Sequence, residues 1–313
     1  MAIIPGNFGR IGVLMGGPSA ERPISLKSAN AVYESLKSKD CDVVKIDIFT
    51  DDIEQNKRLL RSSGIDCAFI ALHGRFGEDG QIQQILQDLG IPYTGSGVKA
   101  SSLAMDKVMS LALFKKAGLD IPEYISVKRQ RFECSGSPEI DFPLPWVVKP
   151  SRQGSSIGLS IIDSADALDQ ALAVAFETDG TAIVQQFVGG RELTVGVLDG
   201  EPLPVVEIVT TRKFFDYEAK YQSGFTTYEV PAKLNASDAI AVQKAGVCAH
   251  KALGCSGCTR VDVILSGGIP FVLELNNIPG LTEKSLLPKA AICAGIDFSQ
   301  LCLRMLSSAY EKK

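Results

Sequence analysis

With 313 residues, 45% of them hydrophobic and 22% charged, and a formal net charge of −4, the chain suits a globular protein of two or three domains. The acidic balance and the absence of any Lys/Arg run give no support to nucleic-acid binding as a main role, although local cations leave room for small anionic ligands. Residues 1–10 lack the pattern of a secretory signal and no stretch reaches the ~18 apolar residues of a membrane span, so a cytoplasmic protein that does not engage a membrane is expected.

The N-terminal third alternates apolar runs with helical periodicity, the pattern of a parallel sheet with crossover helices. A strand is predicted over residues 10–15, ended by Gly16-Gly17-Pro18, then a helix over 22–38, a strand over 42–49 and a third over 68–72 that ends at His73-Gly74. Polar residues after parallel strands are where such sheets hold ligands. A helix over 105–117, closed by Gly118, opens a second unit. Residues 135–145 read as a Pro/Gly/Ser-rich loop, and the sequence SRQGSS joins strands over 145–149 and 157–162. A helix over 165–177 and a strand over 182–187 complete a small α+β unit. The last third has strands over 192–198 and 203–209, an aromatic, charged loop over 211–227 and a helix over 237–253. Two strands, 259–265 and 271–276, then flank the turn Ser266-Gly267-Gly268, and helices end the chain.

Residues two apart in a strand share a face. Arg260 and Asp262 therefore point together, as do Glu274 and Asn276, with Val261, Val263, Leu273 and Leu275 facing the other way. Paired through the glycine turn, the strands gather one cation, two carboxylates and an amide, oxygen donors of the kind that suit magnesium. A solvated face with ordinary cross-strand ion pairs explains the charges as well, but not Asn276 running straight into Asn277-Ile278-Pro279-Gly280. Ser151 to Gly158 reads either as a mobile hairpin or as a phosphate cradle. Lys149, which ends the apolar run Trp146-Val147-Val148 beside it, favours the second. Ser285 and Leu286 begin a predicted helix whose free N–H groups suit a carboxylate.

Eight cysteines in a chain without an export signal are expected as reduced thiols. Cys255 and Cys258 form a lone C-x-x-C, and the histidines are only His73 and His250, so packing cysteines are expected and a zinc or redox site is the alternative.

Seven blocks in order resemble the D-alanine–D-alanine ligases of the ATP-grasp superfamily over nearly the whole chain: GGPSAER from Gly16, ALHGRFGEDG from Ala71, MDK from Met105, VVKPSRQGSSIG from Val147, YEAKY from Tyr217, RVDV from Arg260 and LELNNIPGLTEKSL from Leu273. The resemblance implies an α/β chain in which an ATP-grasp fold follows a parallel-sheet, Rossmann-like N-terminal domain. The domains would be a substrate domain over 1–104, a small α+β domain over 105–188 and a metal-bearing domain over 189–313. It implies ATP-dependent formation of D-alanyl-D-alanine for cell-wall synthesis through a D-alanyl phosphate, two Mg2+ (or Mn2+) ions and a homodimer. It assigns Asp262, Glu274 and Asn276 to the metals, and Lys107, Lys149, Ser156, Gln185, Val188, Glu192 and Lys220 to ATP. Glu21, linked to Ser155 and Tyr221, would hold the ammonium of the first D-alanine with His73 beside it. Arg260 would stabilise the reacting acyl group, and Gly280, Ser285 and Leu286 would hold the second D-alanine. Three positions depart from the family pattern: Gln153 and Gln185 stand where glutamate is common, and Lys284 where histidine is frequent. In the family, glutamate at the place of Gln185 accepts from the adenine amino group, a bond that a glutamine carbonyl can also accept. Tyr221 favours an amine as second nucleophile. Another ATP-grasp carboxylate–amine ligase, for example a D-alanine–D-lactate or D-serine ligase, is the alternative within the superfamily, and a nucleotide-binding regulatory protein without turnover the alternative outside it.

Overall fold

Three short apolar runs form the first layer of the protein, for which the computed structural model describes residues 8–210 and 226–310. They are β1 (Ile11–Gly16), β2 (Val43–Ile48) and β3 (Cys67–Ile70), a parallel sheet in the order β2-β1-β3. Parallel strands covered on both faces need continuous apolar runs, and all four residues of β3 are buried. α1 (Arg22–Lys37) crosses from β1 to β2 and buries Ser25, Ser28, Ala29, Val32 and Leu36, a stripe of helical period. α2 (Ile53–Ser63), α3 (Gln81–Asp88) and α4 (Val98–Met105) complete this part. Sequence patterning does not reveal α2: it buries only Asn56 and Leu60, and its clearest signal is the cap made when Asp52 accepts from the Gln55 N–H at 2.8 Å.

The second layer comprises α5 (Lys107–Lys116), β4 (Tyr124–Lys128), α6 (Arg129–Ser135), β5 (Trp146–Pro150), β6 (Ser160–Ile162), α7 (Leu168–Phe176) and β7 (Thr181–Gln186). Its antiparallel sheet runs β4-β7-β5-β6. α7 covers one face, where Trp146, Val148, Leu172, Ala182 and Val184 share a core. The helix predicted from residue 105 starts at Lys107, because Met105 ends α4 and Asp106 is extended between the two helices, capping α5. The strand predicted over 157–162 shrinks to Ser160–Ile162, behind Ser155 and Ser156 in left-handed backbone at φ 53 and 58.

The third layer is a six-stranded sheet made by β8 (Arg191–Leu198), β9 (Glu201–Pro202), β10 (Val206–Thr210), β11 (Thr226–Glu229), β12 (Cys258–Ser266) and β13 (Ile269–Asn276). The order is β11-β10-β8-β12-β13, with β9 beside β8. α8 (Ala236–Ala252) packs Val242, Ala245 and Ala249 against Val195, Val261 and Val263. α9 (Leu286–Cys293) and α10 (Phe298–Tyr310) return to the first layer, where Leu301 and Met305 share a core with Val32 and Leu36. Among the described residues no single helix is long and apolar enough to cross a membrane.

One expectation about β13 is corrected. Asp262 pairs with Glu274 but Val263 pairs with Val272, so Leu273 is the extra residue of a β-bulge. The bulge shifts the alternation: Val272 and Leu275 enter the core, and Leu273 lines the cleft with Glu274 instead of facing the core.

Candidate active site

β12 and β13 bring the four polar residues together as strand alternation requires. Arg260 is paired with Asn276 and Asp262 with Glu274. The Asp262 carboxylate accepts from Arg260 Nε and Nη2 at 2.9 and 2.8 Å, from Asn276 Nδ2 at 3.1 Å, and from Thr194 Oγ1 of β8 at 2.8 Å. Burial works against the Arg260 charge, but Asp262, with Glu274 and Glu78 behind it, outweighs burial and holds the guanidinium above its usual range.

This face looks across a cavity of about 120 Å³ at the loop between β5 and β6. Lys107, Lys149, Ser155, Ser156 and Glu192 line the cavity together with Asp262 and Glu274. Lys107 and Lys149 are each 8% exposed. Lys107 Nζ donates to the Gln153 carbonyl at 2.8 Å and lies 3.4 Å from Glu274 Oε2, so it ties the loop to the carboxylate face. The start of α5 is fixed by Asp106, which accepts from the Val108 and Met109 N–H groups, from Ser151 Oγ and from Arg152 Nε and Nη2. Burial opposes its ionisation, yet Arg152, the Met109 N–H and Ser151 hold the Asp106 carboxyl below its ordinary range. A larger hollow of about 450 Å³, lined by residues from Lys115 to Phe142, contains none of these side chains.

At one end of the loop the first and second layers touch. Ser155 Oγ donates to Glu21 Oε1, and Glu21 is the residue before α1. Ser19 Oγ donates to the His73 carbonyl, and Gly74 takes φ +75 so close to Glu21 that a Cβ there would stand 2.6 Å from Oε2. His73 is 5% exposed, with Nε2 3.0 Å from Ser28 Oγ and Nδ1 3.5 Å from Glu78 Oε1. Burial raises the pKa of Glu78, opposed by the contact with His73. Ser28 Oγ also accepts from the Leu281 N–H at 3.3 Å, which links this group to the segment before α9. There Ser285 precedes the helix and its Oγ accepts from the Thr282 N–H at 3.1 Å, while a Cβ on Gly280 would stand 2.9 Å from that oxygen.

Several of these residues have no assigned role in the sequence reading. Glu78, Asp106, Arg152 and Leu273 lie inside the matching blocks without one, Thr194 and Ser28 lie outside every block, and the contacts that bring them to the site appear only in the fold. Lys220 and Tyr221 lie outside the described residues. Gln185 is buried on β7 and Val188 follows that strand. Of the C-x-x-C pair, Cys258 is buried in a core and burial pushes the Cys255 thiol up to about 11. Among the described residues no three His, Cys, Asp or Glu side chains are grouped to hold a metal. His250 bonds Thr259 Oγ1 through Nδ1 at 2.8 Å and burial pushes it down to about 4, a packed, neutral histidine.

The family models for the D-ala D-ala ligase C-terminus and N-terminus match residues 113–307 and 50–96. A D-alanine–D-alanine ligase from Anaeromyxobacter sp. (strain K) is 45% identical over 301 residues, 96% of each chain. The chain belongs to the D-alanine–D-alanine ligase family. Another member, from Syntrophotalea carbinolica, is 45% identical over 97% of each chain. The solved structure of the D-alanine–D-alanine ligase from Bacillus anthracis complexed with ATP has a TM-score of 0.83 at 33% identity, over 97% of this chain and 98% of that one. The VanG D-Ala:D-Ser ligase from Enterococcus faecalis has 0.80 at 29% identity, over 96% and 99%. The parallel sheet followed by two antiparallel sheets is thus the ATP-grasp architecture of the D-alanine–D-alanine ligases.

Proposed function

We propose that the chain joins two molecules of D-alanine, with ATP as phosphoryl donor, and so supplies D-alanyl-D-alanine for cell-wall synthesis. The observation that carries this reading is the Asp262–Glu274 pair, flanked by Arg260 and Asn276, facing Lys107, Lys149 and the Ser155–Ser156 loop across one cavity. In this reading Lys107, Lys149, Ser156 and Lys220 neutralise the phosphates, and Gln185, Val188 and Glu192 hold the nucleoside. Asp262, Glu274 and Asn276 offer carboxylate and amide oxygens from neighbouring strands, a donor set that fits magnesium or manganese. These residues would hold two such ions, which when bound offset phosphate charge.

Glu21, oriented by Ser155 and Tyr221, binds the ammonium of the first D-alanine, and His73 closes that side. The first carboxylate takes the γ-phosphoryl group. The second amine then attacks the acyl carbon and phosphate leaves. Positioning and charge neutralisation are enough for both steps, so no protein nucleophile is needed. Arg260 stabilises the charge that grows on the acyl oxygen, while Gly280, Ser285 and the Leu286 N–H at the start of α9 hold the second carboxylate. The domain limits 1–104, 105–188 and 189–313, the homodimer and the cytoplasmic location belong to the same proposal; light scattering and cell fractionation test the last two. D-Alanine-dependent ADP formation with mass analysis of the product tests the reaction, and no ADP with D-alanine alone overturns it. D-Serine and D-lactate belong in the same assay, because the solved D-Ala:D-Ser ligase shares the fold.

A further inference from the structure

Ser28 is fully buried on α1, on the same helix face as the buried Ser25. Ser25 Oγ bonds within the first layer, donating to the Ala71 carbonyl at 2.6 Å and accepting from the Gly16 N–H at 2.9 Å. Ser28 Oγ instead stands between two segments far apart in sequence. It lies 3.0 Å from His73 Nε2, after β3, and accepts from the Leu281 N–H, before α9, at 3.3 Å. A hydroxyl donates a single proton and accepts through its lone pairs. With Leu281 bonded to the oxygen, the Ser28 proton has His73 Nε2 as its acceptor. That nitrogen therefore carries a lone pair, and the proton of the neutral imidazole sits on Nδ1. The other side of the ring agrees, because Nδ1 faces the Glu78 carboxylate at 3.5 Å. A chain of donors thus runs from the Leu281 N–H through the Ser28 hydroxyl and the His73 ring to Glu78. Asn277 Nδ2 donates to the Glu78 carbonyl at 3.0 Å and ties the chain back to the end of β13.

Resting on the D-alanine-joining function above, we propose that Ser28 is a positioning residue coupling the two amino-acid subsites: its hydroxyl fixes His73 as the Nδ1–H tautomer and holds the Gly280–Leu281 turn. His73 belongs to the first subsite, and Gly280, Ser285 and Leu286 to the second. The attacking amine meets the acyl carbon only if these two walls keep a fixed separation, and a misplacement of about 1 Å is costly. Apolar packing sets such a separation loosely, whereas a hydroxyl bonded on both sides sets direction and distance together. Ala at position 28 leaves the buried Leu281 N–H without its acceptor and frees the ring to change tautomer, so both subsites loosen together. The nucleotide cavity, whose lining includes none of Ser28, His73 and Leu281, keeps its affinity.

The test has a kinetic and a spectroscopic arm. Initial rates over a wide range of D-alanine give a KM for each subsite, with the ATP KM measured alongside. In Ser28→Ala both D-alanine KM values are expected to rise about fivefold or more, the size of one lost hydrogen bond, with the ATP KM within about twofold of the natural value. Ser28→Thr, which keeps the hydroxyl, recovers most of the loss. Val32→Ala, one turn further along the buried face of α1, lowers Tm without moving either D-alanine KM. NMR of the 15N-histidine-labelled natural chain, with His73 assigned by its absence from His73→Gln, should show the Nδ1–H tautomer at neutral pH. Ser28→Ala should show the Nε2–H form or a mixture. An Nε2–H tautomer or an imidazolium in the natural chain, or an unaltered tautomer in Ser28→Ala, overturns the assignment. So does a rise in neither or only one D-alanine KM, an ATP KM rising in step with them, or the same change in Val32→Ala. If the natural chain makes no ADP with D-alanine, the reaction fails while the tautomer still decides the hydrogen-bond chain.

Discussion

Replacing Asp106 by Ala separates the stability of the site from its chemistry. The carboxylate is 8% exposed and accepts from Val108 and Met109 N–H at 3.1 and 3.2 Å, Ser151 Oγ at 2.9 Å, and Arg152 Nε and Nη2 at 2.8 and 2.7 Å. Losing the helix cap costs about 1 kcal/mol. Leaving the buried Ser151 hydroxyl unpaired adds about 1 kcal/mol. The Arg152 side chain is 55% exposed and rehydrates, so its pair adds no more than about 1 kcal/mol. The Ala variant is therefore expected to lose about 3 kcal/mol and on the order of 5 °C in Tm, and Asp106→Asn, which still caps, about half of that. Because the folded carboxyl titrates below its ordinary value of 3.8, its contribution is present above that pH and is lost as pH falls through the lower folded value. Urea unfolding at pH 7 and at successively lower pH measures both effects, and the gap between the natural chain and Asp106→Ala should narrow as the pH falls below 3.8. The KM for ATP should rise more than that for D-alanine, since Asp106 anchors Lys107 and the Ser151–Arg152 turn. Equal stability of all three proteins at pH 7, or a change confined to the D-alanine KM, would refute this account.

Glu274→Gln should abolish metal-dependent ATP turnover while leaving the circular dichroism spectrum and Tm close to the natural values; retained turnover counts against a role for that carboxylate. Burial raises the folded pKa of Glu78, so its ionised form weakens the fold as pH rises through that value. Glu78→Gln should match or exceed the natural Tm at pH 8, with the difference shrinking toward pH 4.5, and a variant less stable at pH 8 contradicts this. A thiol reagent at pH 8 should label the exposed Cys134 and Cys293 first and reach the buried Cys258 and Cys302 only on unfolding. Rapid labelling of Cys258 in the native protein would reopen the metal or redox reading of the C-x-x-C.

Period-two spacing was enough to place Arg260, Asp262, Glu274 and Asn276 on one face, because side-chain direction in a strand is a local property of the backbone. The apolar runs and cap residues likewise made β1, α1, α5, α8 and the β12–β13 hairpin legible. Exposed α2 and α6 were not, since little of either is buried and hydrophobic periodicity reports burial alone. Tertiary structure alone decided that Leu273 is a bulge residue, because register depends on the partner strand. It also decided that Asp106 receives Arg152, that Thr194 reaches Asp262 and that Gln185 is enclosed with an unpaired donor, whereas the Glu21–Ser155 contact across 134 positions is one the family resemblance already implied. Local preference acts over a few residues, whereas a site assembled from three layers exists only once their cores have brought distant strand ends and helix starts together.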